Sequence, residues 1–202
     1  MRWKSLVLVL ITVGLAAADP DLPDLPKIQG IWAPVVGRGA VYQVTTPEET
    51  VDLQTAVVGE EAGAVWLEEM VSGAKGELVV KALIGQDGIQ TLIVQPPGKG
   101  PLLLPPGGAP GMPDPPSGGS QDDVSRQGGG ELVGKEVLTT PAGTYNPVHF
   151  KVDETHVWVT PEISPLGVVQ LTSDKTRIVL KKLVSGALTR VTGEPKKLLP
   201  LP

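Results

Sequence analysis

The chain contains no cysteine, and this absence excludes several kinds of chemistry. It can form no disulfide, offers no thiolate as a nucleophile or metal ligand, and has no cysteine for lipid attachment. Aromatic residues are also scarce, at four tryptophans, two tyrosines and one phenylalanine. A folded domain must therefore be stabilised by a core of mainly Val, Leu, Ile and Ala side chains.

Sequence patterns typical of common enzyme classes are missing as well. The chain has no Gly-x-Ser-x-Gly stretch, no phosphate-binding loop and no dinucleotide-binding fingerprint. The acidic pairs at 60–61 and 68–69 are interpreted as solvated charges, because nothing in the pattern suggests that they are buried. The sequence therefore predicts a protein that is not an enzyme and that binds no cofactor.

Long hydrophobic runs are absent except near the amino terminus. There, Arg2 and Lys4 precede an apolar run from Leu6 to Leu15, and small residues at 16–18 follow it. This pattern predicts a secretory signal peptide over residues 1–18, cleaved after Ala18. The run is about half of the roughly 20 apolar residues that a membrane-spanning helix needs. A retained amino-terminal anchor is the alternative, and no integral membrane segment is expected after cleavage.

The charge balance argues against polyanionic partners. Cleavage after Ala18 would remove two of the 17 basic residues and none of the 22 acidic ones, so the formal net charge would change from −5 to −7. An acidic chain without a basic run is not expected to bind nucleic acid or anionic lipid head groups.

Alternating apolar residues predict β-strands through most of the chain. Val148, Phe150 and Val152 alternate with polar neighbours, a turn at 153–154 follows, and the alternation resumes in 155–160. Residues 64–72 read better as a strand than as a helix, with Leu67 and Val71 on one face. About ten short strands separated by turn residues predict an all-β fold whose antiparallel sheet curls on itself.

The positions of proline and glycine along the chain predict its domain organisation. Residues 19–29 are predicted to form an extended lead, 30–192 a single β-domain and 193–202 a mobile tail. Nine prolines and ten glycines between residues 96 and 130 predict a flexible, disordered insertion over 97–130. It is interpreted as a passive linker whose removal leaves the fold intact. A lid or a docking strip for a partner is the alternative.

Two groups of side chains are candidates for a site. The only histidines, His149 and His156, could face each other on paired strands and form a weak metal site with Asp153 or Glu154. Exposed strand-surface histidines explain them more simply, so no metal site is predicted. Trp66, Met70 and Trp158 fall on the less apolar faces of their strands and could line a second apolar surface. Core packing under a covering segment is the alternative.

A family resemblance adds to this interpretation. The hairpin sequence Thr-Pro-Ala-Gly-Thr-Tyr at 140–145, Val-Trp-Val at 157–159 and Pro-Leu-Gly-Val-Val at 165–169 occur in a cysteine-free antiparallel chain. This resembles periplasmic proteins of Gram-negative bacteria built on the half-barrel of the outer-membrane lipoprotein carriers LolA and LolB. The resemblance implies a periplasmic protein with a curved sheet whose concavity accepts acyl chains. It also implies that Val148, Phe150, Val152, Trp158 and Leu166 contribute to that apolar surface.

The sequence thus leads to two functional hypotheses. The first is a non-enzymatic periplasmic protein that binds a lipid, an acyl chain or a lipoprotein in the concavity of its sheet. The predicted ligand-binding residues are Trp66, Met70, Val148, Phe150, Val152, Trp158 and Leu166. The second is an envelope scaffold protein without a ligand cavity that acts through its Pro/Gly loop.

Overall fold

The computed structural model describes residues 32–73, 76–86, 88–104 and 131–197. The predicted signal peptide, the extended lead, residues 105–130 and the last five residues lie outside these ranges. Every regular element in the described part of the chain is a β-strand. The predicted all-β class is therefore confirmed.

The strands are short to medium in length and are numbered in chain order. They are β1 (Arg38–Thr45), β2 (Thr50–Glu61), β3 (Ala64–Gly73), β4 (Gly76–Gly85), β5 (Gly88–Gln95), β6 (Leu102–Leu104), β7 (Glu131–Lys135), β8 (Leu138–Thr140), β9 (Gly143–Tyr145), β10 (Val148–Val152), β11 (Thr155–Val159), β12 (Val168–Thr172), β13 (Arg177–Ser185) and β14 (Lys196–Lys197).

Twelve of these strands form one open, curved sheet. Their spatial order is β14-β6-β5-β4-β3-β2-β1-β13-β12-β11-β10-β7, and β8 pairs with β9 in a separate hairpin. All pairs are antiparallel except β14 with β6. The sheet is not closed into a barrel, which agrees with the predicted half-barrel.

One face of the sheet, called the core face below, carries the main hydrophobic core. Period-two alternation puts Ala40, Tyr42 and Val44 of β1 on this face and leaves Gln43 and Thr45 exposed. Register then places Leu53, Val51 and Ile178 beside them. The connection from β11 to β12 covers part of the core with two further buried side chains, Ile163 and Leu166.

The opposite face is crossed by the chain after β13. This segment, residues 187–192, is held by side chains that point away from the core face. Glu68 accepts hydrogen bonds from the Thr189 hydroxyl (2.6 Å) and the Arg190 backbone N–H (2.8 Å). Gln95 bonds to the backbone and hydroxyl of Thr192. The segment leads directly to β14 at the edge of the sheet.

The structure differs from the sequence prediction at two boundaries, those of the Pro/Gly insertion and of the tail. Residues 102–104 fall in the predicted Pro/Gly insertion, yet they form β6, pair with β5 and bury Leu104 in the core. Three consecutive leucines supply enough apolar surface for a short strand, which an average over the whole insertion conceals. In the predicted tail, Lys196 and Lys197 form β14 beside β6. The mobility of the remaining residues stays a prediction.

Residues 105–130 connect β6, which lies next to the edge strand β14, to β7 at the opposite edge of the sheet. Nine strands lie between β6 and β7 in the spatial order, so ten interstrand spacings separate them. At about 4.8 Å per spacing, the path along the sheet is about 48 Å, and the distance across its curve is shorter. The segment is therefore a required connection between two parts of one sheet rather than an insertion into a local turn.

Candidate functional site

The seven predicted ligand-binding residues divide between the two faces of the sheet. On the core face, Val148 lies opposite Val159 and Phe150 lies opposite Val157, and Val152 continues the same side of β10. Leu166 is only 1% exposed and packs in the core from the β11–β12 connection. Of these four residues, Leu166 belongs to the core, Phe150 packs against it while partly buried, and Val148 and Val152 are half-buried on the same side of β10.

The other three predicted residues lie on the opposite face. The Trp66 indole N–H donates to Glu61 (3.0 Å), and the Lys81 ammonium sits 4.7 Å from the centre of the Trp66 ring. Met70 lines an open pocket of about 420 Å³ beside the Lys181–Asp52 ion pair. Trp158 lies opposite His149 and also packs partly against the core. The seven residues therefore do not form one continuous surface.

The core face carries polar groups that the apolar pattern does not explain. Three buried atoms have no hydrogen-bond partner in the described part of the chain: the Tyr42 hydroxyl, the Thr55 hydroxyl and Oε1 of Glu69. These residues, the polar trio, come from the adjacent strands β1, β2 and β3. Thr55 lies directly opposite Glu69, and Tyr42 lies opposite Leu53, two residues along the same face from Thr55.

Burial determines the charge of the polar trio. Removal from water raises the pKa of the Glu69 carboxyl from 4.5 to about 8, so this group is mainly protonated and neutral at pH 7. Burial and the neighbouring Tyr145 also raise the pKa of Tyr42. At neutral pH the trio therefore offers three uncharged O–H groups, each able to donate or accept a hydrogen bond, among aliphatic side chains.

The opposite face carries a second polar group, the histidine cluster of Glu136, His149, His156 and Trp158. Nε2 of His149 is 2.8 Å from Nδ1 of His156, and Nδ1 of His149 is 3.1 Å from Oε1 of Glu136. The Trp158 ring stacks on the His149 ring at 4.2 Å and 17°, and its N–H donates to Glu136. The two histidines thus meet as the strand alternation predicts, but the nearby carboxylate is Glu136.

The electrostatics of the histidine cluster are mixed. Burial lowers the pKa of His149, the Glu136 carboxylate opposes this effect, and His156 adds to it. No three His, Asp or Glu side chains in the described ranges converge on a common point that could hold a metal ion. Nor does any described residue belong to a helix long and apolar enough to cross a membrane.

Comparisons with known proteins give similar structures only. No family model matches the chain, and no curated protein matches it. The complex of MucA and MucB from Pseudomonas aeruginosa is similar over 75% of this chain and 52% of that chain, at 12% identity and a TM-score of 0.47. This chain therefore spans about half the length of that one.

Two similar structures are covered almost completely by this chain. An exported protein with a YmcC-like fold from Bacteroides fragilis matches 76% of this chain and 99% of its own, at 14% identity and a TM-score of 0.37. A protein described as a lipoprotein from Parabacteroides distasonis matches 75% and 97%, at 14% identity and a TM-score of 0.36. Similarity at this level assigns no activity to the chain.

Sequence reasoning missed the polar trio, although one signal for it was present. Glu69 alternates with Leu67 and Val71 along β3, so period two places its carboxyl on the core face. Treating residues 68–69 as one solvated acidic pair concealed this, because adjacent residues on a strand point to opposite faces. Both carboxyls are in fact buried, Glu68 under residues 187–192 and Glu69 in the core.

Proposed function

We propose that this protein is an exported, non-enzymatic envelope protein that binds an apolar ligand, or the lipid group of a modified partner, on the core face of its curved sheet. One observation carries the proposal: three buried polar side chains on adjacent strands of an aliphatic interior have atoms without a hydrogen-bond partner among the residues that the structure describes. A core that served packing alone would gain stability from apolar residues at these positions.

The energetics favour a ligand with a polar group. An unsatisfied buried polar group costs about 1–3 kcal/mol, so native cores contain few of them. A ligand carbonyl, as in an ester or amide that links an acyl chain, can accept hydrogen bonds from these neutral hydroxyl groups. Burial of its chain would contribute about 25 cal/mol per Å² of apolar surface. The Thr55 and Tyr42 hydroxyls and the Glu69 carboxyl would then set where the polar part of the ligand lies.

The proposed location follows from the sequence. The basic start, the short apolar run and the small residues before Asp19 support export. The resemblance to lipoprotein-carrier half-barrels supports the periplasm as the destination. An acidic protein of this kind would meet apolar ligands through its core face rather than through charge attraction to lipid head groups.

The test is uptake of a fluorescent fatty-acid ester by protein that has been stripped of lipid in denaturant and refolded. Wild-type protein should bind the probe with saturation. Thr55→Val and Tyr42→Phe remove hydroxyls without changing shape, so each should bind more weakly yet unfold at a higher urea concentration. Thr91→Val, on the opposite face, is the matched control and should leave probe binding unchanged.

Two outcomes of this test would contradict different parts of the proposal. Wild-type protein that refolds but takes up no probe would overturn the proposal. Saturable uptake with the same affinity in both hydroxyl variants would keep the apolar site but remove the polar trio from it.

A second function has its own supporting observation. The strand β7 pairs with β10 on one side only in the described part of the sheet, and it exposes Leu132 (63%) and Val133 (53%). An exposed apolar edge strand is a template for strand addition by a partner peptide. An envelope scaffold could act through this edge, which directly follows the Pro/Gly segment. Val133→Lys should abolish capture of such a partner and leave probe uptake intact.

A further inference from the structure

The β8–β9 hairpin, residues 138–145, is the only strand pair outside the main sheet in the described part of the chain. It is inserted between β7 and β10, which are neighbours at one edge of that sheet. Yet β8 lies against β13, which is three strands away from β10. At about 4.8 Å per interstrand spacing, the hairpin therefore folds back over about 14 Å of the sheet. It covers strands with which it does not pair.

The hairpin contacts the core face through apolar side chains. Leu138, Ala142 and Tyr145 are half-buried and pack against the hydrophobic core. Tyr145 is also a neighbour of Tyr42 in the polar trio, whose pKa is raised first by burial and then by Tyr145. The hairpin thus lies over the part of the core face where the polar group of a ligand is proposed to bind.

The hydrogen bonds of the hairpin are internal. The Thr140 hydroxyl accepts from the Ala142 N–H (3.2 Å) and donates to the Gly143 carbonyl (3.3 Å). The Tyr145 hydroxyl donates to the Ala142 carbonyl (3.2 Å). Among the residues that the structure describes, no hydrogen bond joins residues 138–145 to the main sheet. The hairpin can therefore lift from the sheet without breaking one, and loses only the apolar contacts beneath it.

The histidine cluster fixes the point at which the hairpin begins. Glu136, two residues before β8, accepts a hydrogen bond from the Trp158 N–H and lies 3.1 Å from Nδ1 of His149. Val137 immediately precedes the hairpin and Asn146 immediately follows it, and both are exposed and outside regular structure. The chain is thus held in place as far as Glu136, and rotation at these two exposed residues can move the hairpin as a unit.

The burial of the polar trio requires a cover that moves. Tyr42 and Thr55 are 0% exposed and Glu69 is 6% exposed, so a ligand reaches their polar atoms only when a covering segment is displaced. Two described segments cover the core face. The β11–β12 connection is joined to the chain before β1 by hydrogen bonds, whereas the hairpin has no such bonds. The hairpin is therefore the segment that moves at the lower cost.

We propose that the β8–β9 hairpin is a lid that opens to admit an apolar ligand to the core face and closes with Tyr145 beside the polar trio. The inference rests on the proposed function for the identity of what enters. Opening of the hairpin, in contrast, is a property of the ligand-free protein and is measured separately from ligand uptake.

The chain has no cysteine, so a single introduced thiol reports on its own exposure to a thiol reagent. Ala142→Cys places a thiol between the hairpin and the core, Thr144→Cys on the exposed side of the hairpin, and Ala40→Cys in the main core. We expect Ala142→Cys to react more slowly than Thr144→Cys but at least about 100-fold faster than Ala40→Cys. Low concentrations of urea should accelerate only the Ala40→Cys reaction, because that thiol needs global unfolding.

Leu138→Ala weakens the contact that closes the lid, because Leu138 is half-buried against the core. Combined with Ala142→Cys, it should raise the thiol reaction rate about tenfold, the effect of losing about half the burial of a leucine side chain. Leu138→Ala alone should speed both uptake and release of the fluorescent fatty-acid ester. Val137→Ala is the matched control, because that side chain is 68% exposed, and it should change neither rate.

The two measurements distinguish failure of the lid from failure of the proposed function. An Ala142→Cys protein that reacts with the rate and urea dependence of Ala40→Cys would overturn the lid, whether or not the probe binds. Wild-type rates of probe uptake and release in Leu138→Ala would overturn it as well, because the ligand would then enter elsewhere. Rapid thiol reaction in a folded protein that takes up no probe would overturn the proposed function, and with it the role of the moving hairpin as a ligand lid. Circular dichroism of each variant confirms that the sheet is retained.

Discussion

Two adjacent glutamates show how strand geometry gives identical residues different roles. Glu68 faces residues 187–192 and accepts two hydrogen bonds there, so both oxygens of its buried carboxyl have hydrogen-bond partners. Glu69 faces the aliphatic core, where one of its oxygens has no hydrogen-bond partner in the described ranges. The difference arises only because successive side chains of a strand point to opposite faces.

Glu69 should make the stability of the protein fall as pH rises. Its pKa is about 8 in the folded protein and near 4.5 in the unfolded chain, so the folded state binds one more proton between these values. The stabilisation is complete below about pH 4.5 and is lost as pH rises towards 8. The slope is about 1.4 kcal/mol per pH unit. Glu69→Gln should remove it and be more stable than wild type at pH 8, as measured by urea unfolding from pH 5 to 8.

Glu68→Gln provides the matched control for this measurement. It should reduce the free energy of unfolding at every pH in the range, because an amide cannot accept both hydrogen bonds that the carboxylate accepts. It should leave the slope of the free energy of unfolding against pH unchanged. Parallel stability profiles for wild type and Glu69→Gln would show that Glu69 is ionised in the folded protein.

At the scale of elements, the connection between β11 and β12 acts as part of the core. Its Ile163 and Leu166 are fully buried, and it is joined to the chain before β1 by backbone and side-chain hydrogen bonds. Ala33 N–H donates to Pro165 (2.8 Å), and Val35 N–H donates to the Ser164 hydroxyl (3.1 Å). The connection therefore covers the interior and fixes residues 33–35 at the same time.

Leu166→Ala should be strongly destabilising. Removing a fully buried leucine side chain costs about 2–5 kcal/mol, through lost burial and the cavity left behind. Leu188→Ala is the control, because that side chain is 78% exposed and its truncation should change stability by less than about 0.5 kcal/mol. Thermal unfolding measures the loss of stability in each of the two variants. A Leu166→Ala protein as stable as wild type would mean that this connection does not close the core.

Local sequence patterns predicted most of the strands, but they did not predict what each side chain contacts. Alternation placed Val148 and Phe150 opposite Val159 and Val157, and the turn between them lies where the polar residues occur. Leu166 was predicted to line a ligand surface, but an apolar side chain looks the same in sequence whether it meets a ligand or the core. The strand β6 was missed because its three leucines are surrounded by prolines and glycines.

At the scale of the whole molecule, β1 unites two parts of the chain. It pairs with β2 on one side and with β13 on the other, so residues 50–104 extend the sheet in one direction and 131–185 in the other. No local pattern indicates this order, because the pairing of β1 with β13 joins residues far apart in sequence. Contacts of this kind slow folding, since a long loop must close before they can form.

The same topology predicts how the Pro/Gly segment responds to change. It must join β6 to β7 across the open sheet, so its length matters while its composition does not. Replacing residues 106–129 with a Gly/Ser linker of equal length should preserve the circular-dichroism spectrum and the unfolding midpoint. Deleting the same residues leaves a link of about 10 Å, which is too short for β6 and β7 both to stay paired in one chain.

The deleted protein should therefore lose β6 or β7 from the sheet, or restore the pairing by exchanging strands with a second molecule. Hydrogen exchange distinguishes these outcomes, because amides of the released strand lose protection and an exchanged dimer keeps it. Size-exclusion chromatography with light scattering reports the dimer directly. A monomeric deletion variant with an unchanged unfolding midpoint would contradict the proposed connection, because the two edges would then have to lie within reach of three residue steps.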